Sequence, residues 1–272
     1  MVAARAGFAQ TPEVRLAAIP EYTAVAPGTT VRVAVRMELP AGWHVYWTNA
    51  GESGLPTTLT WRAPPVLSAG AATWPAPEAL ASASTISHVL HGTLYVVTPF
   101  AVAPAADAAR AELTAELTWV LCSGGTCLRQ RGSAGTAVRV ERRGAGGAGA
   151  KPRDPAWAGV EAASSTLPLA GEGVTLRATQ AADGVRLEIT GLRGLPPAGS
   201  PVTWFPLAEG QTALVVPIRV AGGVVSVTVR PRDVTGPPPG RLSGVLVGLL
   251  VREGAATSRA LAVDVPVEAA AR

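Results

Sequence analysis

The feature that most restricts this chain is a period of two in its hydrophobic residues. In V-R-V-A-V-R-M-E-L (31–39), Val31, Val33, Val35, Met37 and Leu39 fall on one side of an extended chain, and Arg32, Arg36 and Glu38 fall on the other. Successive side chains of a strand point to opposite faces, so the pattern predicts a half-buried strand in an antiparallel sheet. It recurs in A-E-L-T-A-E-L-T-W (111–119), T-A-V-R-V (136–140), V-R-L-E-I-T (185–190), V-V-S-V-T-V-R (224–230) and L-A-V-D-V-P-V (261–267). Turn signals separate these runs: A-D-G (182–184), A-G-G (221–223) and T-G-P-P-P-G (235–240). With 30 Gly, 24 Pro and only 15% charged residues, the composition suits short strands and turns better than long amphipathic helices. The expected fold is all-β: two tandem immunoglobulin-like β-sandwich domains joined by a Gly/Ala-rich linker.

The alternation stops at R-R-G-A-G-G-A-G-A-K-P-R-D-P (142–155), which has no apolar period and reads as a flexible linker. Behind it, A-W-A-G-V-E-A-A-S-S (156–165) predicts a short helix with Asp154 as cap and Pro155 at the first helical position. The expected division is a first domain over 10–142, a linker over 143–167 and a second domain over 168–272. A-T-W-P-A-P-E (72–78) and V-T-W-F-P-L-A-E (202–209) hint at repetition between the halves. The first half alone carries both cysteines, all three histidines and five of the seven tryptophans, so any chemistry is expected there.

The net charge of +4 comes from basic residues scattered singly, apart from Arg142, Arg143, Lys151 and Arg153 in the linker. No aromatic residues interleave with that cluster, so a nucleic-acid partner is not expected. The apolar run L-S-G-V-L-V-G-L-L-V (242–251) is far shorter than the roughly 20 residues that span a bilayer, and predicts a buried strand. At the N-terminus, F-A-Q (8–10) is compatible with the remnant of a small-residue cleavage site of an exported protein. G-A-G-G-A-G (144–149) lacks the strand–helix context of a phosphate loop. No nucleophilic serine arrangement or catalytic carboxylate pair stands out.

Both cysteines lie in W-V-L-C-S-G-G-T-C-L (119–128) and leave three readings open. A structural disulfide is the usual fate of such a pair in an exported β-domain. Closing so short a loop, however, stabilises by only about 2 kcal/mol on the loop-entropy model. A metal site would combine Cys122 and Cys127 with His88 and His91 of H-V-L-H, a donor set that suits zinc or copper. Otherwise these two histidines are polar residues of an exposed loop. Thiol–disulfide exchange is the third reading, since the small intervening residues S-G-G-T leave the sulfurs open to an incoming thiolate. Arg129 and Arg131 follow closely enough to stabilise a thiolate, or are simply solvated on the strand after the turn.

A series of motifs bears on that choice: G-W-H-V-Y-W-T-N-A-G-E-S-G-L-P (42–56), T-W-R (60–62), W-P-A-P-E (74–78), H-G-T-L-Y-V (91–96) and W-V-L-C-S-G-G-T-C-L (119–128). In this order they resemble the N-terminal periplasmic region of the DsbD/ScsB family of thiol:disulfide interchange proteins. The resemblance covers most of the first half, and the second half is similar only in architecture and position. It implies a protein-disulfide reductase module of the periplasm that needs no cofactor. Such a module accepts electrons from a thioredoxin-like donor domain and passes them to periplasmic thioredoxin-fold substrate proteins. Cys122 and Cys127 would be the shuttling pair, with Cys127 forming the mixed disulfide and Cys122 resolving it. A mobile cap loop would correspond to S-H-V-L-H-G (87–92), with Leu90 where an aromatic often stands and with His88 or His91 tuning a thiolate. Tyr46 and Trp47 would pack beside the cysteines. The chain carries no membrane spans and no thioredoxin-like C-x-x-C, so a membrane link is expected only through a portion beyond it. The alternative is a non-catalytic binding module holding copper or zinc.

Overall fold

The computed structural model describes residues 12–82, 84–106, 109–141, 152–208, 211–230 and 239–269. The proposed leader remnant, the Gly/Ala-rich linker up to residue 151 and most of the T-G-P-P-P-G turn lie outside them. The first half forms β1 (Arg15–Pro20), β2 (Ala24–Val25), β3 (Thr30–Glu38), β4 (His44–Gly51), β5 (Thr58–Arg62) and β6 (Leu67–Ala69). It continues with β7 (Glu78–Ser82), β8 (Thr85–His91), β9 (Thr93–Val102), β10 (Ala109–Ser123) and β11 (Thr126–Val140). These make two layers. One sheet has the order β1-β3-β9-β6, and the other has β2-β11-β10-β4-β8-β7 with β5 beside β10. Apart from a short parallel contact of β2 with β11, the pairings are antiparallel, as the alternation predicts.

The alternating strand at 31–39 does what its pattern requires. Val31, Val33, Val35 and Met37 are fully enclosed between the layers, whereas Arg32 is exposed and Arg36 half-buried. Burying each such side chain contributes on the order of 1.5–3 kcal/mol. Ala34, on the supposedly wet face, is also buried. The helix α1 (Trp157–Ala162) lies over it, and Trp157 and Val160 pack against Ile19, Ala34, Tyr95 and Val97. The helix starts at Trp157 rather than at Pro155, with Ala156 and not Asp154 as its N-cap. The Asp154 carboxylate instead accepts the Ala156 N–H at 2.9 Å in the turn before it.

The second half comprises β12 (Thr175–Ala181), β13 (Gly184–Thr190), β14 (Pro201–Pro206), β15 (Leu214–Pro217), β16 (Arg219–Ala221), β17 (Val224–Val229), β18 (Arg241–Glu253) and β19 (Ala256–Glu268). The strand path is β15-β14-β18-β19-β12-β13-β17-β16. Its fold-over comes at β19, which pairs along most of its length with β18 and by its last residues with β12. Leu187, Ile189, Trp204, Val225 and Leu246 fill the space between the two layers. Both halves are therefore all-β, of immunoglobulin-like sandwich type.

The halves also share a core, which no sequence pattern announced. Phe205, Ala213, Val245 and Ala260 of the second half join the cluster of Val45, Trp47, Leu90 and Leu121 of the first. Backbone bonds such as Ala76 N–H to Thr166 C=O (2.8 Å) reinforce the contact.

Candidate functional site

The cysteines sit in strands rather than in an open loop. β10 and β11 are paired along their full length, with Cys122 opposite Cys127 and Ser123 opposite Thr126. Gly124 and Gly125, at φ 54° and 83°, make the two-residue turn. Two successive positive φ values are what a tight hairpin of this kind demands, and glycine supplies them without strain. The two sulfurs form a disulfide across the next-to-last rung before the turn. Their exposure differs sharply: Cys127 is exposed, whereas Cys122 is 3% exposed and packs with Tyr46, Ala50 and Val89. An incoming thiolate therefore meets Cys127 first.

Register across the sheet places other groups beside this rung. Cys122 is opposite His44 on β4, and His44 is opposite His91 on β8. Directly paired residues share a face, so His91, His44, Cys122 and Cys127 form one cross-strand row. The His44 and His91 rings lie 5.5 Å apart between centroids, and the His44 and Tyr46 rings 5.8 Å apart, both edge to face. The Tyr46 hydroxyl is 3.7 Å from Cys122 Sγ. Because a disulfide sulfur carries no hydrogen, the hydroxyl is the donor. Burial, with the neighbouring His91 charge second, holds the His44 imidazole below its usual range.

The turn after β4 fixes Tyr46 from above. Glu52 accepts the Ile86 N–H at 2.7 Å, Ser87 Oγ donates to the Ser53 C=O at 3.2 Å, and Thr57 Oγ1 donates to the Tyr46 C=O. Gly54, at φ 100°, lies so close that a Cβ there would be 2.2 Å from a ring carbon of Tyr46.

The expected surroundings of the cysteines divide according to strand parity. Tyr46 and His91 lie on the cysteine face, as does Arg129, two residues along from Cys127. Trp47, His88 and Leu90 lie on the other. Residues one apart, such as Tyr46 and Trp47, or three apart, such as His88 and His91, must face opposite ways in a strand. The segment 87–92, expected as a cap loop, is instead the end of β8 and its turn, and Leu90 is buried in the shared core. His88 is not an exposed loop residue: it is fully buried at the contact between the halves. Its Nδ1 pairs with the Asn49 C=O at 2.8 Å, and its Nε2 accepts the Ala213 N–H at 2.8 Å. That second partner can only donate, so the ring is neutral with the proton on Nδ1. Burial holds its pKa below the usual range. Asn49 completes the contact by donating to the carbonyls of Pro206 and Gln211 at 2.8 and 2.9 Å.

This parity also removes the four-ligand metal site. His88 is on the far side of the sheet from both sulfurs, and the His91-to-Cys127 row spans three strand spacings of roughly 5 Å each. Such a line cannot converge on one ion. Among the described residues, no group of three or more His, Cys, Asp or Glu is disposed to hold a metal. His44 is the residue of the site that the sequence reading passed over. Its signal was present in the alternation, two residues from Tyr46, but its place beside Cys122 depends on strand order.

Comparisons with known proteins bear on the family and the fold. A family model described as thiol:disulfide interchange protein DsbD, N-terminal, matches residues 15–136. The N-terminal periplasmic domain of ScsB from Proteus mirabilis is similar over 96% of each chain, with TM-score 0.53 and 16% identity, a likeness of fold. Titin domains z1z2, in a complex with telethonin, cover 96% of this chain and 100% of their own, with 12% identity and TM-score 0.21. No curated protein is significantly similar in sequence.

Proposed function

With residues 15–136 a member of the DsbD N-terminal family, we propose that this protein is a periplasmic thiol:disulfide reductase module working through Cys122 and Cys127. A thioredoxin-like donor domain reduces the pair, and the resulting dithiol reduces thioredoxin-fold substrate proteins. The observation that carries the reading is the unequal exposure of a disulfide held at a hairpin tip, with Cys127 exposed and Cys122 3% exposed. Cys127 makes the mixed disulfide, and Cys122 acts from below to resolve it. A pair closed across one rung adds little to stability, and its outer sulfur stands clear of the sheet, which is where an exchanging disulfide belongs. No helix of the described residues is long and apolar enough to cross a membrane.

The test uses a thioredoxin-fold protein that keeps only its exposed active-site cysteine, activated as an aromatic mixed disulfide. The Cys122→Ser protein forms a covalent adduct through Cys127. Cys127→Ser, whose remaining thiol is buried, forms it at least about tenfold more slowly, as access controls exchange. Equal rates for the two variants, or no adduct with either, would overturn the assignment.

A further inference from the structure

We propose that His44 is the proton partner of Cys122, taking the Cys122 proton when that thiol resolves a mixed disulfide and returning it when Cys122 leaves. The inference deepens the exchange reading above and rests on it. His44 is directly opposite Cys122 in the ladder, on the face that carries both sulfurs. Side chains in such a position have Cβ atoms about 4.5–5.5 Å apart, which brings an imidazole within reach of Sγ. Cys122 is enclosed by Tyr46, Ala50 and Val89, so a thiolate forming there is poorly solvated and needs a donor. Two groups are in place, the Tyr46 hydroxyl at 3.7 Å and the half-buried His44 ring packed on Tyr46.

In the reducing step, a thiolate of a dithiol partner attacks Cys127 Sγ. A sulfur–sulfur bond forms between the partner and Cys127 as the Cys127–Cys122 bond breaks. The electron pair departs on Cys122 Sγ, which takes the His44 proton to become a thiol. The partner's second thiolate then attacks its own sulfur in the mixed disulfide and expels Cys127 as a thiolate. Two electrons have moved: the partner is oxidised to a disulfide and this chain is reduced to a dithiol. In the opposite direction neutral His44 accepts the Cys122 proton as Cys122 attacks.

The titratable and charged groups facing His44 are His91 on β8, Tyr46 on its own strand and the two cysteines. In the next row along, Glu78 is opposite Val89, and Arg129 is opposite Val120. His91 matters most, because its positive charge opposes protonation of His44. Glu78 and Arg129 lie a row away on exposed strands, where solvent screens them.

The experiment measures the rate of reduction of the oxidised chain by dithiothreitol from pH 5 to 8 for the wild type, His44→Gln and His91→Gln. Imidazolium is the acid, and burial lowers its pKa, so the advantage of the wild type over His44→Gln lies on the acid side of the usual histidine range. It is expected to reach about tenfold there and to shrink towards one as pH rises, as a general acid requires. His91→Gln removes a positive neighbour and shifts that midpoint to higher pH. A purely structural role would slow His44→Gln equally at every pH, and that flat ratio would overturn the proposal. If the ratio is flat while Cys122→Ser still forms its adduct, only the role of His44 falls. If the folded wild type is not reduced at all, the exchange reading falls with it.

Discussion

His88 shows how much a single ring can carry at the contact between the halves. It is fully buried, satisfied at both nitrogens, and neutral because Ala213 N–H occupies the position a second proton would need. Its folded pKa is lowered, so near and below pH 6.5 the unfolded chain binds the proton more readily than the native one. The stability contribution is complete above about pH 6.5 and is lost progressively as pH falls below it. His44, also lowered, works in the same direction. Urea denaturation at pH 7.5 and pH 5 is expected to show the wild type losing stability at the lower pH and His88→Ala losing less. At pH 7.5 His88→Ala is expected to cost about 1–3 kcal/mol, because Ala213 N–H and the Asn49 carbonyl lose their partner in a buried place.

Among the elements, the β10–β11 hairpin carries the disulfide. Its fifteen-rung register already fixes the sulfurs opposite each other, and Gly124 and Gly125 turn the chain without strain. The disulfide consequently closes a ring that the ladder has nearly closed, and its reduction is expected to cost about 2 kcal/mol of stability or less. Comparing denaturation of the oxidised and reduced chains checks this, and a loss near 5 kcal/mol would mark the bond as a staple instead. The strand segment 85–91 carries a different lesson. H-V-L-H reads as polar ends around an apolar middle, and as a loop it would present both histidines together. As a strand it sends His91 to the cysteine row and His88 to the opposite face. The same parity separates Tyr46 from Trp47. Here the sequence held the needed period, but H-V-L-H is too short for its alternation to stand out from a loop.

For the whole molecule, the shared cluster makes the two halves more than neighbours on a string. Trp47 and His88 pack edge to face on Phe205, with ring centroids 6.5 and 5.2 Å away. Phe205→Ala is expected to cost about 3–5 kcal/mol, as for a buried aromatic removed from a packed core. Tryptophan fluorescence and far-ultraviolet dichroism are expected to report coincident unfolding of both halves. Two well-separated transitions would show that the contact contributes little. The back of the sheet that carries the disulfide is thus held by the second half, while Cys127 on its front is exposed.

The alternation of apolar and polar residues was enough to determine an all-β chain and most of its long strands, because a strand's period is written locally. The Asp154-Pro155 start signal announced the short helix near Trp157. The cysteine pair and Tyr46 were legible too, through their motifs. That His44 stands beside Cys122 was not, since cross-strand neighbours depend on strand order and register between segments distant in sequence. His44 entered the site for that reason, whereas His88 and Leu90 left it through the parity of their own strand. The shared core was equally hidden: Phe205 and Ala213 look like ordinary strand residues until tertiary packing places them against Trp47 and His88. Local periodicity specifies faces, and only the folded arrangement decides what each face meets.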